Sequence, residues 1–189
     1  MIRAFIGIRL DPDITRRICE AQSQLQHSLK GIRWVKRDHL HLTLKFLGEI
    51  GEDKVLPVVE AVERAVRSRS RFSFACRGMG VFPDIRRARV LWVGLEAEEL
   101  ARLATAVETS LEAIGFAREK REFKPHLTIG RWRNFDGRPE VFRAEIVRWK
   151  GHDFGASWAN EVVFFQSVIK PEGAVYTPLK VIPLGEKPN

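Results

Sequence analysis

The sequence predicts an α+β fold: two similar lobes of antiparallel strands, helices outside, and a cleft between them. Three observations predict it. The tetrad His-Leu-Thr-Leu at residues 41–44 returns as His-Leu-Thr-Ile at residues 126–129, close to half of the 189-residue chain away. Each tetrad is followed by an intervening segment, a strand, a proline-containing turn and another strand. Strands and helices do not alternate strictly, which disfavours a doubly wound parallel sheet. One repeat is too few to stack as a solenoid. The pattern therefore reads as an internal duplication within one bilobal domain covering residues 1–189.

The elements follow in order. Phe5, Ile6, Ile8 and Leu10 begin the chain as a strand. Asp11-Pro12 offers an N-cap and a proline in the first helical turn. Ile14, Ile18, Leu25 and Leu29 share one helical face, and Gly31 stops that helix. Residues 33–35 read as a short strand and residues 40–47 as a second. Gly51-Glu52 opens another helix, striped by Val55, Val58, Val59, Val62 and Ala65. Pro57 fits that helix only in its first turn, which moves the start later. Residues 72–81 and 89–95 alternate as antiparallel strands around a turn near Pro83-Asp84. A third helix over residues 96–114 carries Leu100, Leu103, Val107, Leu111 and Ile114, with Gly115 as its stop. Residues 161–169 and 175–184 close the chain as two strands joined near Pro171-Glu172-Gly173.

Composition bounds the function. An apolar share of 44% and a charged share of 30% belong to a globular protein. No run approaches the roughly 18–20 apolar residues of a membrane span. The opening Met-Ile-Arg-Ala-Phe-Ile lacks a small-residue cleavage site and reads as a strand rather than a signal peptide. Cys19 and Cys76 are expected as reduced thiols of a cytoplasmic protein. The net charge of +8, with basic clusters at Arg64, Arg67, Arg69 and Arg71, at Arg86, Arg87 and Arg89, and at Arg118, Lys120, Arg121 and Lys124, favours a polyanionic partner, nucleic acid first.

The tetrads carry the chemistry. On a strand, Leu40, Leu42, Leu44 and Phe46 face one way, and His39, His41, Thr43 and Lys45 the other. Leu127 and Ile129 repeat the apolar face, and His126 and Thr128 the polar one. An imidazole titrates near pH 6.5, so of two facing histidines one can be neutral while the other is charged. Such a pair can take a proton from water and give one to a leaving oxygen. Threonine hydroxyls and a nearby arginine can donate to phosphate oxygens as charge builds on them. No metal or other cofactor is required. His39-Leu-His41 could be read as a metal pair, but no cysteine or carboxylate cluster with ligand spacing accompanies it. His27 and His152 have no partner pattern. Gly78-Met-Gly80 lacks the lysine, the third glycine and the helix of a phosphate loop, and no Gly-x-Ser-x-Gly elbow is present.

The stretch Trp34-Val35-Lys36-Arg37-Asp38-His39-Leu40-His41-Leu42-Thr43-Leu44-Lys45-Phe46-Leu47-Gly48, with Phe123-Lys124-Pro125-His126-Leu127-Thr128-Ile129-Gly130-Arg131, resembles the two-histidine (2H) phosphoesterase superfamily. Within it the chain is similar to the RNA 2′,3′-cyclic phosphodiesterases, also called 2′-5′ RNA ligases. Arg3-Ala4-Phe5-Ile6, Phe164-Phe165-Gln166-Ser167, Gly173-Ala174-Val175-Tyr176 and Pro178-Leu179 fit too, and residues 134–159 match least. The resemblance implies pseudo-two-fold symmetry with the active site between the lobes. It implies metal-independent hydrolysis of RNA 2′,3′-cyclic ends to 2′-phosphomonoesters, with reversible 2′-5′ ligation as the reverse or side reaction. Its substrates would be RNA ends, tRNA fragments among them, or cyclic nucleotides. Carried over by position, His41 is the acid and His126 the base, Thr43 and Thr128 hold phosphate oxygens, Arg131 adds charge there, and Phe46 stacks on a base. Strict alternation puts Phe46 and Arg131 on the face away from the histidines, so these two roles need a strand bulge or fail. The competing reading is a non-catalytic RNA- or nucleotide-binding module, against which the retention of both histidines and both threonines weighs. Because one chain supplies both tetrads, a monomer with no membrane association is expected.

Overall fold

A computed structural model describes residues 1–135, 139–170 and 173–185. The strands are β1 (Ile2–Arg9), β2 (Ile32–Trp34), β3 (His41–Ile50), β4 (Phe72–Phe82), β5 (Val90–Glu96), β6 (His126–Trp132), β7 (Asp153–Ala159), β8 (Glu161–Lys170) and β9 (Gly173–Pro183). The helices are α1 (Pro12–Ser28), α2 (Val55–Val66), α3 (Glu98–Glu112) and α4 (Pro139–Trp149). All named strand pairs are antiparallel, in the order β7-β4-β5-β6-β3-β1-β8-β9, with β2 also on β6. The sheet falls into two four-stranded halves, β9-β8-β1-β3 and β6-β5-β4-β7. A single residue pair joins them, Leu42 with Leu127. Helices α2 and α3 cover the first half, and α1 and α4 the second.

This is the α+β architecture the sequence predicts, with one refinement. The halves are not contiguous in the chain. The hairpin that follows the first tetrad, β4–β5, pairs beside the second tetrad, whereas β8–β9 returns to the first. Helix α1, which connects β1 to β2, packs on the opposite half. Helix α4 and strand β7 were absent from the predicted elements. Strand β7 owes its place to pairing with β4 and not to a pattern of its own.

Local choices explain the boundaries. Asp11 stands at the N-cap of α1, yet its side chain accepts no helix N–H. Its Oδ2 accepts instead from the Trp158 backbone N–H at 2.9 Å, and its own N–H donates to Ser157 Oγ at 2.8 Å. The cap residue thus serves to fix the helix to β7. A 3₁₀ turn at Glu52–Lys54 precedes α2, so Pro57 falls in the first turn, where a missing N–H costs nothing. The turn near Pro83-Asp84 forms, with Asp84 Oδ1 accepting from the N–H groups of Arg86 and Arg87. Residues 171 and 172 of the other expected turn lie outside the described residues. Leu42, Leu44, Leu127 and Ile129 are all buried against the helices, and each such side chain contributes about 1.5–3 kcal/mol. That burial anchors the strands whose opposite faces carry the histidines.

Candidate active site

The junction between the halves is where the tetrads meet. One step either side of Leu42–Leu127, antiparallel geometry sets His41 toward Thr128 and Thr43 toward His126. All four are partly exposed on the face opposite the buried leucines. The histidines therefore lie on a diagonal, with backbones about 7–8 Å apart. That is room for a phosphate held between two hydrogen bonds.

Each imidazole is fixed in the same way. His41 Nδ1 lies 2.7 Å from the carbonyl of His39, and His126 Nδ1 lies 2.7 Å from the carbonyl of Lys124. A carbonyl only accepts, so each Nδ1 carries the hydrogen. Each Nε2 is thereby left as the nitrogen that can take or give a proton, and that of His41 lies 3.1 Å from Thr43 Oγ1. Gly7 of β1 pairs with Thr43, and a Cβ there would stand 2.7 Å from the Leu42 carbonyl and 3.5 Å from the His41 ring. Only glycine lets β1 run this close under the site.

Bulges in both tetrad strands settle the conflict over Phe46 and Arg131. In β3, Gly7 pairs with Thr43 and Ile6 with Lys45, so Leu44 is skipped. In β6, Trp92 pairs with Thr128 and Leu91 with Gly130, so Ile129 is skipped. Past the bulge the alternation inverts. Lys45, expected beside the histidines, is buried on the helix side, bonded to Glu108 of α3 and to the Ala117 carbonyl. Phe46 instead turns to the histidine side, exposed, with its ring 6.1 Å from Phe5. Arg131 likewise returns to the face of His126 and Thr128, exposed. Gln22 of α1 supports the second bulge by donating to the Ile129 carbonyl at 2.8 Å and to the Val35 carbonyl at 3.0 Å.

The His41 ring stacks on Phe5 at 4.6 Å and meets the edge of Tyr176 at 5.0 Å, with Phe165 behind. The His126 ring meets Phe82 edge-on at 5.0 Å. The sequence reading gave these aromatics no role. Their signal was the run of residues around Phe5, Phe165 and Tyr176, which carried the resemblance without revealing what the rings touch. His39 also differs from expectation. It ends a 3₁₀ turn before β3 and contributes its carbonyl, not its ring, to His41. His27 and His152 lie elsewhere, His27 on α1 and His152 packed on Trp149 and Phe154.

A family model described as LigT-like phosphoesterase matches residues 8–92. The chain is 35% identical over 182 residues to the RNA 2′,3′-cyclic phosphodiesterase of Archaeoglobus fulgidus, covering 95% of this chain and 99% of that protein. It belongs to the LigT-like phosphoesterase family. The RNA 2′,3′-cyclic phosphodiesterase of Methanothermobacter thermautotrophicus is 31% identical, with 97% and 99% covered. Among solved LigT-like folds, a Thermus thermophilus protein superposes with a TM-score of 0.84 at 28% identity, with 98% of this chain and all of the other covered. The Escherichia coli LigT complex with 3′-AMP superposes with a TM-score of 0.78 at 26% identity, covering 97% of this chain and 98% of that one.

Electrostatics favours neutral rings in the free LigT-like site. Burial pushes the His41 pKa down to about 4, against the hydrogen bond to the His39 carbonyl, which raises it, and with smaller downward pushes from the His39 and Arg131 charges. Burial also lowers His126, again with a contribution from Arg131. The Arg131 charge therefore reaches both rings. A bound phosphodiester anion reverses the sign and favours the imidazolium form of each. The pH profile of kcat/KM, which reports the free enzyme, is then expected to have both limbs below the ordinary imidazole value of about 6.5, and that of kcat to be displaced to higher pH. Coincident limbs in the two profiles, with chemistry limiting the rate, would contradict this electrostatic account.

Proposed function

We propose that the chain hydrolyses RNA 2′,3′-cyclic phosphodiester ends to 2′-phosphomonoesters without a metal. The observation that carries the reading is the Leu42–Leu127 pair, which sets two carbonyl-anchored histidines of one orientation on one face. His126 Nε2 takes a proton from water as its oxygen attacks phosphorus. The bond from phosphorus to the 3′ oxygen breaks, and His41 Nε2 gives that oxygen its proton. The phosphate stays on the 2′ oxygen. Thr43, Thr128 and Arg131 donate to the phosphate oxygens, whose charge spreads as the fifth bond forms. Phe46 offers an exposed ring on which a base stacks. With a 5′-hydroxyl in place of water, the same groups run the same displacement: His126 takes the hydroxyl proton, the 3′ oxygen leaves with a proton from His41, and a 2′-5′ linkage is joined.

Relatives named RNA 2′,3′-cyclic phosphodiesterase support the substrate class, and the E. coli LigT complex with 3′-AMP supports a nucleotide as ligand. Both tetrads on one chain support action as a monomer. Free Cys19 and Cys76 accord with a reducing, cytoplasmic setting, and no described helix is long and apolar enough to cross a membrane. The test is an oligonucleotide bearing a 2′,3′-cyclic phosphate, incubated with the protein in EDTA. The expected product carries a 2′-phosphate and a free 3′-hydroxyl. A 3′-phosphate product, or turnover abolished by EDTA, would sink the reading.

A further inference from the structure

A basic face continues the site beyond Arg131. Strand β2 pairs with the end of β6, and Arg33 is the cross-strand partner of Arg131. Such partners share a face, so both guanidinium groups stand on the cleft side, while Ile32 and Trp34 cover Gly130 on the other. Arg133 follows two residues after Arg131 and is exposed. Gly31, Ile32, Arg33, Arg131, Trp132 and Arg133 line a recess of about 510 Å³. Like charges directly opposite on paired strands are destabilising. Among the described residues no carboxylate bridges Arg33, Arg131 or Arg133. The fold thus keeps this cluster of positive charge without a bridging carboxylate among the described residues, next to His41 and His126, and an anion relieves it.

We propose that Arg33, with Arg133, binds the backbone phosphate on the 5′ side of the terminal nucleoside, while Arg131 serves the cyclic phosphate. This rests on the hydrolase reading above. A strand ending in a 2′,3′-cyclic phosphate continues only through its 5′ oxygen, so the next phosphate to be met is the 5′ one. Arg33 and Arg131 start about 5 Å apart at Cα, and their long side chains reach neighbouring phosphates from there. The subsite makes the protein prefer oligonucleotide ends over mononucleotides.

The experiment compares a nucleoside 2′,3′-cyclic monophosphate with the dinucleotide ending in the same cyclic group. The wild type is expected to favour the dinucleotide in kcat/KM. Arg33→Gln should cut that preference about tenfold. It should also make the salt slope of log kcat/KM for the dinucleotide shallower by about 0.7. Arg33→Lys should restore part of the preference, since it keeps the charge and loses the two-pronged donor. Removing the opposed charge should raise Tm by up to about 3 °C, a shift opposite to that of a structural residue. Binding of a nucleoside 3′-monophosphate and of a dinucleotide with a terminal 3′-phosphate supplies a readout independent of turnover. An equal loss on both substrates in Arg33→Gln, or an unchanged preference, overturns the subsite. No hydrolysis by the wild type alongside Arg33-dependent binding of the dinucleotide overturns the hydrolase reading and leaves the subsite standing.

Discussion

Alanine at His41 or at His126 is expected to lower kcat on a 2′,3′-cyclic end by about 10²–10⁴-fold, the range of one positioned proton transfer. The two losses should not add. Once the base is gone, attack by water becomes the limiting event, and the acid then has little left to accelerate. The double variant is therefore expected within about tenfold of the worse single one. Asymmetry is also expected. A substrate with a better leaving group than a ribose 3′ oxygen needs no proton from His41, so His41→Ala should recover on it, whereas His126→Ala should not. Both rings lie in aromatic surroundings and neither is a core residue, so far-ultraviolet circular dichroism should stay unchanged. Full activity in either single variant would end the two-histidine account.

Lys45→Met is expected to destabilise the protein by about 3–5 kcal/mol, the usual effect of orphaning one member of a buried ion pair. At about 2–4 °C per kcal/mol for a chain of this size, the fall in Tm is on the order of 10 °C. Lys45 is 8% exposed and its partner Glu108 17%, so water does little to compensate the carboxylate left behind. The Ala117 carbonyl loses its donor too. The partner variant decides the cause. Lys45→Met with Glu108→Leu removes both charges and should regain most of the loss. A Lys45→Met protein as stable as the wild type would show that the charge was never desolvated.

The same lysine shows where sequence reading stopped. Within each tetrad, period-two alternation sorted His41, Thr43, His126 and Thr128 from the buried leucines correctly, because strand pleating follows directly from covalent geometry. Alternation failed two residues past Thr43, at Lys45 and then Phe46, and likewise at Arg131. Bulges at Leu44 and Ile129 add one residue to each strand, and a bulge depends on partner strands and on props such as Gln22. Those props come from helices far away in sequence, so no local pattern announces them. The exchange of hairpins between halves was hidden for a related reason. Order along the chain suggests that each tetrad keeps the strands that follow it, but pairing is long-range, and β4–β5 pairs beside β6 while β8–β9 pairs beside β1. Helix α4 escaped because Val141 and Val147 are exposed and blur its apolar stripe, and β7 because it buries Ser157 while exposing Trp158.

The exchange has a consequence for synthesis of the chain on the ribosome. The strand bearing His41 emerges early, yet the rings behind it, Phe165 and Tyr176, arrive with the final hairpin. The strand bearing His126 waits in turn for β5, made before it, to find its place. An N-terminal fragment ending at Ala159 holds every strand of the second half, whereas the first half waits for β8 and β9. A nascent polypeptide is therefore expected to lack turnover of a cyclic phosphate until β8 and β9 have paired onto β1 behind His41.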